Sequence, residues 1–226
     1  MLHTSAGLLT ASVLAAVMAV AVAGEEQPSR WEQAIRRMEE HDTKNPPPKG
    51  AILICGSSSA RGWDVEKYFP DLDVVNRGFG GSRIADSTHF ADRIILPLEP
   101  RVIVLYAGDN DIASGKSPRR VLADFQQFVR TVHDELPGTR IVFISIKPSI
   151  RRWHLVDKMR EANRLIREFT TTDRRLDYVD IDTPMVGEDG KPRPELLADD
   201  GLHLSPEGYK LWTERLLPYL KPRDEP

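Results

Sequence analysis

Four short segments of this 226-residue chain carry residue types that acyl transfer needs: Gly56-Ser57-Ser58-Ser59, Asn76-Arg77-Gly78-Phe79-Gly80-Gly81, Gly108-Asp109-Asn110-Asp111 and Asp200-Gly201-Leu202-His203. Between them they offer hydroxyl nucleophiles, amide donors for a developing oxyanion, and an imidazole with carboxylates nearby. The first three each follow an apolar run of strand length, where an open α/β sheet keeps its functional loops. An Asp three residues before a His allows one turn to deliver both a base and the carboxylate that orients it. Taken singly, every segment also has an ordinary reading: a serine-rich turn, a glycine turn, an Asx turn at Asn110, a capping Asp beside a surface His. It is the set, in one order along one chain, that points to chemistry.

Strand-like runs recur at 51–55, 73–76, 101–107, 140–147 and 177–181, with helix-length material between most of them. Val102-Ile103-Val104-Leu105-Tyr106 and Ile141-Val142-Phe143-Ile144 are nearly continuous apolar runs, the pattern of strands covered on both faces. Right-handed crossovers then give an α/β fold of three layers, α/β/α, with a five-stranded parallel sheet in the flavodoxin-like order 2-1-3-4-5. Residues 29–41 place Trp31, Ile35 and Met38 on one stripe of an amphipathic helix packed on the body of the domain. Ser117-Pro118 and Ser205-Pro206 start two further helices, with Ser as the cap and Pro at the first helical position. A fourth helix is predicted over about 155–169.

The opening segment, 1–23, is apolar, has no acidic residue and closes on Ala21-Val22-Ala23, a small-x-small cleavage pattern. It is predicted to be a signal peptide, with a retained anchor or a misplaced start codon as alternatives. Residues 24–49 are then an N-terminal helix and linker, 50–221 a single domain carrying the four segments and 222–226 a fraying tail. Export to the periplasm or the medium follows, with no stable membrane span after cleavage. The net charge of −3 gives no reason to expect nucleic-acid binding. Cys55 is the only cysteine, so no intrachain disulfide forms and stability rests on the core.

The blocks Ile54-Cys55-Gly56-Ser57-Ser58-Ser59-Ala60-Arg61, Asn76 to Gly81, Gly108 to Asp111 and Asp200 to His203 resemble, in order, those of the SGNH hydrolases, the class that includes GDSL lipases and esterases. The first is similar to the platelet-activating-factor acetylhydrolase-like branch, where Gly-Ser-Ser-Ser replaces Gly-Asp-Ser-Leu. The resemblance implies a nucleophile at Ser58, a base at His203 and an orienting carboxylate at Asp200, with Asp199 second in rank. It assigns the oxyanion hole to the backbone amides of Ser58 and Gly81 and to the side chain of Asn110. Gly81 has a further rationale, since a missing Cβ lets the chain approach a reacting group closely. Ser57 departs from the family Asp, and Ser57 and Ser59 are rival nucleophiles. Asn76 reads as a loop-orienting residue, and Gly78 and Gly80 as turn glycines.

Trp63, Phe79, Tyr106, Lys147 and Trp153 are candidate substrate contacts, with Arg61, Arg83 and Arg152 as further polar candidates on the same side. The loop 147–154 follows a strand and precedes a helix, so it is expected to border the nucleophile and select substrate. Asp109 and Asp111 lack partners at metal-loop spacing, and His41, His89, His133 and His154 lack zinc spacing, so no metal and no other cofactor is expected. Neither dinucleotide nor P-loop phosphate fingerprints occur. The expected activity is that of an exported serine esterase on short-acyl esters, acetylated carbohydrates included. A non-catalytic carbohydrate-binding protein, a lysophospholipase or a thioesterase on the same fold are the alternatives. Acyl length, alcohol and oligomeric state are left open by the sequence.

Overall fold

The computed structural model describes residues 28–221; the predicted leader and the tail at 222–226 lie outside the described residues. Its sheet is parallel and consists of β1 (Ile52–Gly56), β2 (Val74–Gly78), β3 (Val102–Tyr106), β4 (Arg140–Ile144) and β5 (Leu176–Val179), in the order 2-1-3-4-5. Nine α-helices occur among the described residues: α1 (Glu32–Lys44), α2 (Ser58–Arg61), α3 (Val65–Tyr68), α4 (Ile84–His89), α5 (Ala91–Ile94), α6 (Asp109–Ala113), α7 (Pro118–Glu135), α8 (Val156–Thr170) and α9 (Pro206–Leu220). Cα placement alternates along each strand, so Leu53, Ile103, Leu105, Ile141 and Phe143 face one side while Ile52, Ile54, Val102, Val104 and Val142 face the other. Apolar residues on both sides require cover on both. Helices α1, α4, α5, α7 and α8 supply one layer, and α2, α3 and α9 the other.

Helix starts follow the capping chemistry. Ser117 Oγ accepts the Arg120 N–H at 3.2 Å and Ser205 Oγ accepts the Gly208 N–H at 3.1 Å, each ahead of a Pro with no N–H to lose. Trp31 and Ile35 are buried as the stripe predicts, and Met38 packs beside them.

Register matters most for function. Gly56 pairs with Gly78 on one side and with Tyr106 on the other, so β1, β2 and β3 end level and release their loops side by side. The chain runs from β1 to β2 in one direction and crosses to β3 in the other, which opens a crevice at the strand ends. Two backbone bonds tie the emerging loops together: Ser57 N–H to Tyr106 O at 2.8 Å and Phe79 N–H to Gly56 O at 2.9 Å.

Gly56 is held at φ +118°, and a Cβ there would fall 1.9 Å from the Tyr106 carbonyl oxygen. Neither β3 nor the backbone angle can yield without breaking the pairing. Gly56→Ala is therefore expected to cost on the order of 3 kcal/mol in urea unfolding; unchanged stability would show that the two strands do not approach this closely.

Candidate active site

Every residue from Ala51 to Ala60 is buried except Ser58. Ser57 and Ser59 are 0% and 1% exposed, which removes both rivals from contact with a substrate. The reason is local: the turn out of β1 into α2 keeps its flanking residues against the sheet and lifts one hydroxyl clear. Ser58 Oγ lies 3.1 Å from His203 Nε2, across 145 positions of sequence. On the far side of the ring, His203 Nδ1 is 2.5 Å from Asp200 Oδ2.

Asp200 uses its other oxygen to fold the turn that carries it. Oδ1 accepts the backbone N–H groups of Leu202 and His203, each at 2.9 Å. These amide bonds, the His203 backbone N–H foremost, and the imidazole hold the Asp200 carboxyl well below the usual carboxylate range. An ionised carboxylate only accepts, so Nδ1 carries the ring proton and Nε2 is left to accept from the Ser58 hydroxyl. A hydroxyl, a neutral imidazole and an anionic carboxylate in line can pass one proton from oxygen to nitrogen and stabilise the resulting charge. Asp199, second in rank from the sequence, has no such bond to the ring among the described residues.

Each of the three expected oxyanion donors has an N–H to spare. Ser58 is the first residue of α2, so its N–H has no partner within the helix. Gly81, at φ +77° in the loop after β2, has no acceptor for its N–H among the described residues. The left-handed backbone at Gly81 by itself calls for glycine, and a Cβ there would meet only the end of the Arg30 side chain at 3.3 Å.

Asn110 is the first part-exposed residue after a run of eight buried ones. Its Nδ2 donates to Ser82 O at 3.0 Å, which leaves one amide hydrogen over. Its Oδ1 accepts from Arg152 Nη2 at 3.0 Å, while Arg152 Nη1 donates to Asp109 Oδ2 at 2.9 Å and Asp109 Oδ1 accepts the Asn110 backbone N–H at 2.9 Å. The guanidinium thus clamps the side chain of Asn110 and the carboxylate before it as one unit. Asn76 does orient a loop: Nδ2 donates to the carbonyls of Ala60 and Trp63, at 2.7 and 3.0 Å, and Oδ1 accepts the Gly78 N–H. Ser82, with its hydroxyl buried 2.9 Å from Phe79 O and 3.0 Å from Gly56 O, was invisible in the sequence.

Four of the five candidate substrate contacts are corrected by their burial. Trp63 packs on Phe69, Tyr209 and Trp212 and donates Nε1–H to Thr213. Phe79 packs edge-on to Trp31 and Phe90, and Tyr106 on Trp212. Lys147 is 1% exposed with its Nζ 3.9 Å from Asp109, and burial lowers its pKa despite that neighbour. All four are at most 2% exposed. Trp153 is half-buried and lies in a groove of about 650 Å³ with Ile150, Pro192, Pro194, Lys191 and Glu195. Ile150 and Pro194 also border a depression of about 570 Å³ that reaches Asp200 and Gly201. The loop 147–154 does border the site, since Arg151 N–H donates to Gly201 O at 3.0 Å.

Asp111 is spoken for, accepting from Ile84 N–H and Lys116 Nζ. Among the described residues no group of three or more His, Cys, Asp or Glu is placed to hold a metal ion, and no helix is long and apolar enough to cross a membrane.

A profile of the GDSL-like Lipase/Acylhydrolase family matches residues 55–211. The rice (Oryza sativa subsp. japonica) protein GDSL esterase/lipase WDL1 is 27% identical over 198 residues, spanning 76% of this chain and 75% of its own length. Human platelet-activating factor acetylhydrolase IB subunit alpha1 is 28% identical over 150 residues; the match spans 63% of this chain and 62% of the human protein. In fold, the chain is similar to a solved structure from Streptococcus pneumonia described as a platelet activating factor, with a TM-score of 0.77, 22% identity, and coverage of 85% of this chain and 94% of that one.

The exposure pattern predicts which hydroxyl reacts. A serine-directed fluorophosphonate is expected to label Ser58 alone, read by peptide mapping, and His203→Ala to suppress the labelling. Adducts on Ser57 or Ser59 would mean that the turn after β1 presents a different face.

Proposed function

Because this chain belongs to the GDSL-like lipase/acylhydrolase family, related to the platelet-activating-factor acetylhydrolase branch, whose membership implies serine-hydrolase catalysis on small esters, we propose that it is an exported esterase of short-acyl esters acting through an acyl-Ser58 intermediate. The observation that carries this reading is the line Ser58 Oγ, His203, Asp200, with contacts of 3.1 and 2.5 Å. Ser58 Oγ attacks the ester carbonyl as His203 Nε2 takes its proton, and Asp200 stabilises the imidazolium. Charge on the carbonyl oxygen falls to the amides of Ser58 and Gly81 and the free hydrogen of Asn110 Nδ2. His203 then protonates the leaving alkoxide. Water enters, gives its proton to His203 and attacks the acyl-enzyme; collapse returns the proton to Ser58 and frees the acid.

Openness favours small acyl groups. The side chains of His203 and Asp200 are 44% and 38% exposed, so a long chain would lie largely in water beside them. The alcohol side is served by the groove past Gly201, where the Trp153 indole and two proline rings lie among charged side chains. Such a surface suits a pyranose, whose C–H face packs on a ring while its hydroxyls reach the rim. An acetylated carbohydrate is therefore the substrate class we favour. The apolar stretch 1–23 ending Ala21-Val22-Ala23 supports export, and protein recovered outside the cytoplasm is expected to begin near Gly24.

Two measurements test the proposal. With p-nitrophenyl acetate, Ser58→Ala and His203→Ala are expected to lower kcat by at least about 10³-fold and Asp200→Asn by about 10²–10⁴-fold, with folding intact. Turnover that survives Ser58→Ala would sink the mechanism. Trp153→Ala is expected to raise KM about tenfold for an acetylated xylo-oligosaccharide and to leave p-nitrophenyl acetate unaffected; equal effects on both esters, or none on either, would remove the carbohydrate from the proposal.

A further inference from the structure

Residues 28–44 precede the stretch that matches the family profile, yet two of them reach into the candidate oxyanion loop. Trp31 Nε1–H donates to Gly80 O at 3.0 Å, and Arg30 Nη2 donates to Gly81 O at 2.8 Å. Consecutive side chains grip consecutive carbonyls. The indole is 5% exposed, meets Phe79 edge-on at 5.6 Å, and carries the Arg30 guanidinium 3.9 Å above its own ring. Helix α1 behind it is anchored in turn. The Arg93 guanidinium bonds Glu32 and Glu39 at 2.7–3.1 Å, and Arg77 bonds Asp42 at 2.6 Å.

Gly80 and Gly81 have no side chains through which packing could fix their peptides. Hydrogen bonds to the backbone are the means that remain. Gly80 C=O and Gly81 N–H belong to one planar trans unit, in which the two groups point in opposite directions. A donor that holds Gly80 O toward α1 therefore aims Gly81 N–H away from α1, the direction in which it meets no acceptor among the described residues. Donation to that carbonyl also polarises the peptide and strengthens its N–H as a donor.

We propose that Trp31 is a positioning residue for ester hydrolysis: its indole N–H sets the Gly81 amide in the oxyanion hole, and the N-terminal helix is thereby part of the catalytic apparatus. This inference rests on the reading of Ser58 as the nucleophile.

The test uses the full chain. Trp31→Phe keeps a ring against Phe79 and removes the N–H. Per Ser58 labelled by a fluorophosphonate, its kcat on p-nitrophenyl acetate is expected to fall about tenfold with KM unchanged, part of the 10²–10³ that loss of a whole oxyanion donor costs. Binding of methylboronic acid, which forms a tetrahedral serine adduct, is expected to weaken by the same factor. A packing role alone would lower thermal stability and the labelled fraction but leave kcat per labelled serine and boronate affinity at the wild-type values, and that result overturns the inference. Should Trp31→Phe fail to fold, β-(3-benzothienyl)alanine incorporated at position 31, which keeps the bicyclic ring and lacks the N–H, carries the test: a loss of about tenfold in kcat per labelled serine supports the inference and none overturns it. Turnover surviving Ser58→Ala would instead strike the underlying reading, so the two failures are distinguishable.

Discussion

The site depends on three parallel strands ending level. Gly56 sits in register with both Gly78 and Tyr106, and the chain leaves it at an angle that admits no Cβ against the Tyr106 carbonyl. A slip of one residue in either pairing would turn the alternating apolar faces to the wrong layers, so burial on both sides fixes the register strongly. That fixed register is what lets loops distant in sequence meet within hydrogen-bond range. Hydrophobic burial thus acts on the chemistry indirectly, by leaving only one alignment of the strand ends.

From those ends outward, the loops are held by side chains bonded to backbone. Asn76 ties β2 to the end of α2, Ser82 bridges the carbonyls of Gly56 and Phe79, and Asn163 both accepts from and donates to the Ile146 backbone at the start of the 147–154 loop. Each buried group left unpaired would cost about 1–3 kcal/mol, so the network penalises displacement of any single loop. Arg152 links two such loops, since its guanidinium leaves 147–154 to bond Asp109 and Asn110 after β3. Loss of that clamp would leave the Asn110 side chain held by its bond to Ser82 O alone.

The sheet order and the helix starts at Ser117 and Ser205 were legible because apolar runs and Ser-Pro caps have few other uses. Ser58 and Asn110 were legible for a related reason, as polar residues just past β1 and β3 where the run of buried residues breaks, and His203 through the Asp three positions before it. The walls were not. Trp63, Phe79 and Tyr106 lie near the same motifs in sequence, and an aromatic residue type says nothing about which face of a loop it takes. Tyr106 belongs to the face covered by α9, Phe79 to the face covered by α1, and each finds a large ring there. Lys147 misled for the opposite reason, because a charge is expected to seek water and this one is buried near Asp109. The roles of Arg30 and Trp31 left no local signal, since their partners are carbonyls present at every position of every chain.

The two halves of the site are built on different principles. The side proposed as an oxyanion hole rests on the ends of buried strands and on side chains bonded to backbone. The His203 side rides on a turn in which Asp199 and Asp200 are exposed and Gly201, Leu202 and His203 half-buried. Asp200 resolves that difference, because one carboxylate oxygen closes the turn through two backbone N–H groups while the other holds the imidazole. A single charge therefore couples the orientation of His203 to the shape of its loop. Since those amide bonds favour the ionised form and hold its pKa below the unfolded value, their contribution to the turn is full above the ordinary Asp range and is lost as pH falls through the depressed value. A site so arranged keeps the imidazole aligned throughout neutral pH without burying it.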